Sequence, residues 1–312
     1  MISISTLFFC VLTLFLLILP GFLINKTGLV KGTDVRGINQ LLIYIGNPAL
    51  IMVTFMQPIN KELLINCLWV LVFAFLSLGL FTLIAFLSFR NTETAKRNVY
   101  RFGSVFSNSA FMGIPVLIAV IGPEAGIYAS FYNIAFQLFI WSVGSYFYTG
   151  DLSYIKPKKM FINPGIIPLF FGLVLWSVGL GGKVPAVLYD TLGYFRDIVV
   201  PISMLLVGIR LADCDLKGIF KNRRLFEAVA LRLLILPTAV WAILRLLMLV
   251  GLPISPVALQ ATLICISTPA ASFTVAFAER YDGDGAEASK VVSISTLLSV
   301  LTMPLVALLL YL

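Results

Sequence analysis

Two apolar stretches of the sequence combine small polar residues with proline, and these residues are the clearest candidates for chemistry. They are Ser107, Asn108, Gly113 and Pro115 in the stretch SNSAFMGIPVL, and Thr268, Pro269 and Ala270 in the stretch STPAASF. Proline removes a backbone donor and frees a carbonyl, so each stretch predicts an interrupted helix. A helix that begins after such an interruption presents unpaired N–H groups and partial positive charge at its N-terminus, which suits an anion. The alternative is an ordinary proline kink whose Ser and Thr residues pack helices together.

Other kinds of chemistry lack the residues they need. The sequence contains no histidine, so histidine metal ligands and histidine bases are excluded. The four cysteines, Cys10, Cys67, Cys214 and Cys265, are far apart and have no zinc-ligand spacing, which predicts buried packing. An enzyme site needs a nucleophile with a base, or a metal cluster. We therefore expect no enzyme, no metal and no cofactor.

Composition places these stretches in a membrane. The chain has 312 residues, of which 60% are hydrophobic and 12% charged, and its mean hydropathy is +1.03. Soluble domains contain about 45–50% apolar and about 25% charged residues. The composition excludes a soluble enzyme, a disordered chain and a nucleic-acid binder, and it predicts a polytopic membrane protein. A carrier is the first interpretation and a channel or sensor the second.

Ten apolar segments, separated by charged and turn residues, are long enough to cross a bilayer. They cover about 2–25, 37–56, 63–89, 99–121, 125–149, 161–181, 189–211, 222–250, 255–279 and 286–312. All are predicted to be helices, because an open sheet cannot span lipid. The first segment has no basic residue before it and no small-x-small cleavage site, so we interpret it as a span rather than a signal peptide.

Basic residues predict the orientation. Connections after odd-numbered segments carry seventeen Lys and Arg, whereas those after even-numbered segments carry two, Lys61 and Lys183. Because basic residues collect in cytoplasmic loops, both termini are predicted to be non-cytoplasmic. The protein is thus expected in the cell membrane.

Three arginines fall inside predicted spans. Arg196 and its neighbour Asp197 should point to different faces of a helix and pair with other groups. Arg232 and Arg245 are interpreted as side chains that snorkel to opposite surfaces. A second interpretation has Arg232 contact an anion on the cytoplasmic route.

An even division predicts two related halves, at 1–155 and 156–312, with five segments each. Because five is odd, the second half enters the membrane with opposite polarity, as in the inverted repeats of secondary transporters. Prolines support the correspondence: Pro48 and Pro115 lie in the second and fourth segments, and Pro201 and Pro269 lie in the seventh and ninth.

SNSAFMGIPVL and STPAASFTVAFAERY resemble the crossover segments of the auxin efflux carrier family, which includes the plant PIN-type exporters and bacterial relatives. INQLLIYIGNPALIMVTF is similar to the family's second span, FQLFIW to its fifth, FINPGIIPLFFGLVLW to its sixth and RDIVVPISMLLVGIRLA to its seventh. The resemblance implies a sodium/proton-antiporter-like fold of ten helices, with two inverted five-helix repeats and crossed broken helices. It also implies elevator-like transport of small organic anions and a possible homodimer. Many plant members have a long cytoplasmic loop where this chain has only about residues 150–160, and the short loop favours a bacterial inner membrane.

The resemblance also implies residue roles. Asn108 matches the crossover asparagine that faces the substrate carboxylate, Gln137 a glutamine lining the site, and Asn163 an asparagine that opens the sixth span. Each residue also has a structural alternative. In these alternatives Asn108 caps or bridges the helix break, Gln137 forms an interhelical hydrogen bond, and Asn163 caps the helix that starts after it. Two positions depart from the family pattern, with Ser107 in place of proline and Ile51 in place of serine. The candidate substrate residues are Asn108, Gln137, Asn163, Ile51, Thr268 and Ala270, and the candidate break or crossover residues are Ser107, Gly113, Pro115, Pro269 and Pro48.

The positions of charged residues within the spans indicate which energy source could drive transport. In sodium/proton antiporters and bile-acid/sodium symporters of this architecture, ion coupling uses carboxylates near the crossing. The nearest carboxylates here, Glu124 and Glu279, lie at segment ends, which leaves backbone carbonyls as the alternative ion ligands. One negative charge that leaves an inside-negative cell gains about 2.3 kcal/mol per 100 mV. The sequence therefore predicts potential-driven export of a small carboxylate, auxin-like or dicarboxylate. The alternative is a sodium- or proton-coupled symporter of the same fold.

Overall fold

Helices form nearly all of the regular structure in the computed structural model, which describes residues 4–31, 35–155, 158, 161–213 and 222–311. The helices in these ranges are α1 (Ile4–Lys26), α2 (Gly37–Phe55), α3 (Lys61–Leu87), α4 (Thr94–Val105), α5 (Ser109–Val120), α6 (126–149), α7 (Ile166–Ser177), α8 (Ala186–Asp213), α9 (Arg223–Leu249), α10 (Pro256–Ser267), α11 (Phe273–Arg280) and α12 (Gly285–Tyr311). No β-strand occurs in the described ranges.

Six of these helices, α1, α2, α3, α8, α9 and α12, are long and apolar enough to cross a bilayer, with 19 to 28 residues each. Their outer faces expose large apolar side chains, such as Phe9, Leu76, Leu246 and Leu301. Such surfaces suit lipid rather than water. The prediction of an all-α, multi-pass membrane protein is therefore confirmed at this level.

Helix starts follow local sequence rules. Side-chain oxygens of Asn60, Asn222, Ser255 and Asp284 each accept a hydrogen bond from a backbone N–H in the first turn of the helix that follows. These three residue types, Asn, Ser and Asp, are preferred N-caps, because their oxygens satisfy donors that have no partner within the helix. Pro256 then occupies the first position of α10, where a missing N–H costs nothing.

Three of the prolines inside helices lie next to π-helical segments. Each follows a π-helical segment by two residues: Pro48 after Leu42–Gly46, Pro115 after Ser109–Gly113, and Pro237 after Leu231–Ile235. The proline ring clashes with the carbonyl four residues earlier, and the wider π turn moves that carbonyl away. Pro48 and Pro115 therefore do not interrupt their helices, and the break in this region precedes Pro115, at residues 106–108.

Helices α1 and α8 approach closely through glycine. A Cβ atom on Gly21 would overlap the carbonyl oxygen of Leu205, and one on Gly208 would overlap the carbonyl oxygen of Ile18. Small residues allow such backbone contact between membrane helices.

Cys67 and Cys265 are buried as predicted and Cys10 is partly buried, whereas Cys214 lies outside the described residues.

Candidate functional site

The interruption between α4 and α5 lies beside the interruption between α10 and α11. The backbone N–H of Asn108 donates to the carbonyl of Pro269 at 2.8 Å. The N–H of Ala271 donates to the carbonyl of Phe106 at 2.9 Å. Two chain segments about 160 residues apart in the sequence thus satisfy each other's backbone groups where neither is helical.

The direction of this contact determines where the four helix ends point. Ser107 and Ala270 form an isolated antiparallel bridge, and the N–H of Ala270 also donates to the hydroxyl of Ser295 at 3.1 Å. Because the two segments run in opposite directions, α5 and α11 lead away from the contact toward opposite ends of the bundle. Their N-termini, and the C-termini of α4 and α10, all lie at this junction.

The N-terminal residues of α5 and α11 border a small central cavity of about 10 Å³. Its walls are formed by Asn47, Ser107, Asn108, Ala110, Phe111, Asn133, Phe136, Gln137, Ala271 and Phe273. Four of these residues carry amide side chains, and none is charged. A volume of this size holds about one water molecule. A larger ligand therefore requires the walls to separate.

Three of the four amides have unused hydrogen-bonding capacity. Asn47 is 2% exposed and its side-chain oxygen has no partner. The side chains of Asn108 and Gln137 make no hydrogen bond within the described part of the chain. Asn133 differs, because it donates to the carbonyl of Ala129 at 2.8 Å. Buried polar groups without partners are costly. The Asn47 oxygen and the amides of Asn108 and Gln137 therefore leave hydrogen-bonding capacity free around one cavity.

The predicted substrate residues fall into two groups. Asn108 and Gln137 meet in the central cavity. Asn163 lies nearby, because Gly165 packs directly on the Gln137 amide, and the Asn163 side-chain oxygen accepts from the N–H groups of Gly165 and Ile166, each at 2.9 Å. This is the capping role expected before a proline.

The remaining predicted residues lie outside the cavity wall. Ile51 and Ala270 are buried without lining the cavity, and Thr268 donates to the carbonyl of Cys265 at 2.9 Å. Gly113 faces the methyl group of Thr268. None of these residues borders the central cavity.

Two larger cavities flank the centre. The Gln57 cavity, of about 660 Å³, is bordered by α2, α5 and α8 and includes Thr54, Gln57, Pro115 and Arg196. The Asn163 cavity, of about 680 Å³, is bordered by α2, α6, the start of the segment before α7, and α11, and includes Asn163, Trp141 and Arg280. Because α5 and α11 diverge from the junction, the two cavities lie toward opposite ends of the bundle.

Aromatic side chains separate the centre from the Asn163 cavity. Phe273 lines both spaces, and its ring centroid lies 6.3 Å from that of Phe136. Phe136 in turn contacts Phe106 edge to face, with 5.5 Å between the centroids. In the Asn163 cavity the Arg280 guanidinium lies 5.0 Å from the centroid of Trp141, a cation–π arrangement.

Two sequence-based interpretations of arginine are wrong. Arg196 and Asp197 do not point apart, because the Arg196 Nε donates to the carboxylate of Asp197 at 2.7 Å. The long arginine side chain can fold back along the helix, and the α-helix is interrupted at Ile198, directly after the pair. Arg232 does not snorkel, because it is 1% exposed and lies inside the bundle.

Arg232 instead contacts the C-terminal ends of both interrupted helices. One guanidinium nitrogen donates to the carbonyls of Ser104 and Val105, at 3.1 and 2.9 Å. The other donates to the carbonyl of Ile266. The guanidinium carbon also lies 4.9 Å from the centroid of the Phe81 ring. The arginine therefore places positive charge at the negative ends of α4 and α10.

Charge is scarce elsewhere in the interior. Besides Arg232, one further Asp, Glu, Lys or Arg side chain is buried within the described ranges, that of Glu287. Tyr100 and Asn222 donate to it at 2.6 and 2.7 Å, and Lys290 lies 3.1 Å away. Within the described residues, no three His, Cys, Asp or Glu side chains are grouped so that they could hold a metal ion.

The sequence did not identify Asn47 and Asn133 as part of the site, and it did not predict where the Arg232 side chain lies. Asn133 and Gln137 are four residues apart in α6, so they share a helix face, and this spacing was a usable signal. Asn47 precedes Pro48 in the quoted second-span stretch, but its role depends on which way α2 faces.

These features define a multi-pass membrane protein with a polar centre between two cavities, the arrangement of a transporter. A family model described as "Membrane transport protein" matches the chain twice, over residues 6–151 and 148–307. The chain therefore belongs to this family, the auxin efflux carrier family that the sequence resembles.

Two relatives have similar length. An uncharacterized transporter from Methanothermobacter thermautotrophicus is 27% identical over 304 residues, which cover 95% of each chain. An uncharacterized transporter from Methanocaldococcus jannaschii is 24% identical over 305 residues, which cover 95% of this chain and 96% of the relative. Family and relatives both indicate membrane transport.

Proposed function

We propose that this protein exports a small organic carboxylate, which binds in the central cavity between the N-termini of α5 and α11. The observation that carries this proposal is that the amide side chains of Asn47, Asn108 and Gln137 border one buried space, and that those of Asn108 and Gln137 make no hydrogen bond within the described residues. Amide N–H₂ groups donate to carboxylate oxygens. The first backbone N–H groups of α5 and α11 lack partners within their helices and add partial positive charge.

The surroundings supply the driving force for binding a charged group at depth. An anion loses its hydration when it leaves water, so it needs several donors and a compensating charge. The amides and the helix N-termini provide donors, and Arg232 provides a full positive charge on the other side of the junction. A neutral ligand would gain much less from this arrangement.

The two flanking cavities suggest how the substrate reaches the centre. We assign the Asn163 cavity to the cytoplasmic side and the Gln57 cavity to the opposite side, because basic residues concentrate in the connections near the former. On this assignment both termini are non-cytoplasmic. Arg280 then attracts anions at the cytoplasmic opening, and separation of Phe273 from Phe136 admits them to the centre.

The architecture belongs to the same proposal. Ten spans in two inverted five-helix halves, at 1–155 and 156–312, would place one interrupted span at the fourth position of each half, near the bilayer midplane. The two family-model matches, one in each half, support this division. An elevator-like movement would carry the junction between the two sides, and a homodimer would provide a fixed scaffold.

The membrane potential is sufficient to drive the export. One negative charge gains about 2.3 kcal/mol per 100 mV on leaving an inside-negative cell. A monoanion exporter therefore needs no coupling ion. The nearest buried carboxylate, Glu287, is already paired with Lys290 and lies outside the wall of the central cavity.

Electrical recording tests the proposal. Purified protein in proteoliposomes on a supported membrane should give a saturable current with indole-3-acetate, malate or malonate in sodium-free buffer. Counterflow of labelled substrate should be saturable as well, which distinguishes a carrier from a channel. A strict requirement for sodium or a proton gradient would favour the symporter, and the absence of binding and current with all carboxylates would refute the proposal.

A further inference from the structure

The most unusual polar group outside the proposed substrate site is the guanidinium of Arg232. It belongs to α9, yet its hydrogen-bond acceptors are backbone carbonyls of α4 and α10. The acceptor nearest in sequence, Ile266, is 34 residues away. No carboxylate accepts from it within the described part of the chain. A charged arginine in the interior normally has an anionic partner.

The carbonyl groups that accept these hydrogen bonds explain why the charged guanidinium of Arg232 is stable in the interior. Carbonyl groups at the C-terminal end of a helix have no partner within the helix and carry partial negative charge. Two such ends, those of α4 and α10, converge on the one guanidinium. Half-helix C-termini and unwound carbonyls are also the groups that coordinate Na⁺ in transporters with discontinuous helices. The guanidinium therefore fills a space with the properties of a cation site.

We propose that Arg232 is a tethered counter-cation, a positioning residue that occupies the cation site of the junction with the chain's own positive charge. Arginine stays protonated at any physiological pH, so this charge is permanent. It holds the two half-helices together and balances the charge of a monoanion bound on the N-terminal side. The second role rests on the proposed carboxylate transport, whereas the first does not.

The charge balance has a consequence for transport. If Arg232 moves with the junction, the carrier loaded with a monoanion has no net charge at its centre, and the empty carrier has one positive charge. Exchange of substrate between the two sides uses only loaded carriers. Such exchange should therefore be insensitive to membrane potential, while net export remains electrogenic through the return of the empty carrier.

Removal of the side chain tests the cation site. Arg232→Ala should lower the Tm of the purified protein, and millimolar guanidinium chloride should raise it again by about 2–4 °C, because a ligand that binds the folded state stabilises it. Wild type and Arg245→Ala, which removes an arginine from the same helix, should show no such rise. A failure of guanidinium, sodium and potassium ions alike to stabilise Arg232→Ala would refute the cation site.

Exchange measurements test the counter-charge. Homoexchange of indole-3-acetate by the wild type should be unaffected by a potassium diffusion potential, and Arg232→Lys should behave in the same way. Arg232→Met should show exchange that changes severalfold with potential, which a purely structural role would not produce. Potential-dependent exchange in the wild type would refute the charge balance even if the variants do not fold.

Failure of the proposed function has a different signature. If no carboxylate binds or moves, the exchange experiment gives no signal in any variant, whereas rescue of Arg232→Ala by guanidinium is measured without substrate. Rescue in that situation supports the tethered cation and overturns only its pairing with a transported anion.

Discussion

Replacement of Asn108 by alanine is the most direct test of the central cavity. The Asn108 side chain is 5% exposed and makes no hydrogen bond within the described part of the chain. Truncation therefore leaves no protein group without a partner, and the free energy of unfolding should change by less than about 1 kcal/mol. Its backbone N–H, which bonds to Pro269, is retained.

The effect on binding should be larger. A hydrogen bond to a charged group contributes about 1.5–3 kcal/mol. Loss of one such bond to the carboxylate raises Kd about 10- to 150-fold, since about 1.4 kcal/mol corresponds to a tenfold change. Titration calorimetry or thermal shift with a bound carboxylate measures Kd, and the supported-membrane current gives the matching loss of transport.

Two further variants make the result specific. Asn108→Asp keeps the shape and adds a negative charge next to the bound anion, so it should bind more weakly than Asn108→Ala. Asn66→Ala removes a buried amide outside the cavity, one that accepts a hydrogen bond from Ser255. It should lower stability by about 1–3 kcal/mol and leave Kd unchanged. Binding by both Asn108 variants within twofold of the wild type would remove this residue from the site.

Three substitutions test other parts of the structure. Gly165→Ala should displace the Gln137 amide and raise Kd for the carboxylate severalfold in a binding titration, with the Tm little changed, because the new methyl group overlaps that amide. Gly208→Ala should lower stability by about 1–3 kcal/mol in thermal denaturation, because its Cβ overlaps a backbone carbonyl of α1. Ser295→Ala leaves the buried N–H of Ala270 without this partner, so the Tm should fall by the equivalent of about 1–3 kcal/mol.

Local features of the chain were predictable from the sequence. Asn60, Ser255 and Asp284 cap helices because capping depends on residues within one turn. The class of protein followed from composition, since lipid admits few arrangements of an apolar chain. The stretches with Asn108 and Pro269 were identified as the special ones from their small polar residues and proline.

The position of the break near Asn108 was not predictable from local rules. Pro115 was the expected helix breaker, but a π turn accommodates it and the chain is non-helical at residues 106–108 instead. The break is stabilised by backbone hydrogen bonds with residues 269–271 and by the Arg232 guanidinium. These partners are distant in sequence, so no local pattern reports them.

The role of Arg232 shows the same difference. An arginine in an apolar segment predicts snorkelling when its neighbours are unknown. Its burial became favourable only because the C-termini of α4 and α10 meet in front of it. Likewise, Ile51 and Ala270 were candidates from motif position, but the orientation of their helices places them outside the cavity wall.

The sequence by itself determined that this is an apolar, helical, membrane-spanning member of a transport family with two unusual stretches. These properties depend on composition, on short-range periodicity and on residue identity along the chain. Tertiary structure alone decided which amides face one another, where the helices are interrupted and which charge lies beside the interruption. Those outcomes depend on contacts between residues more than 160 positions apart, whose energies arise only when the helices have come together.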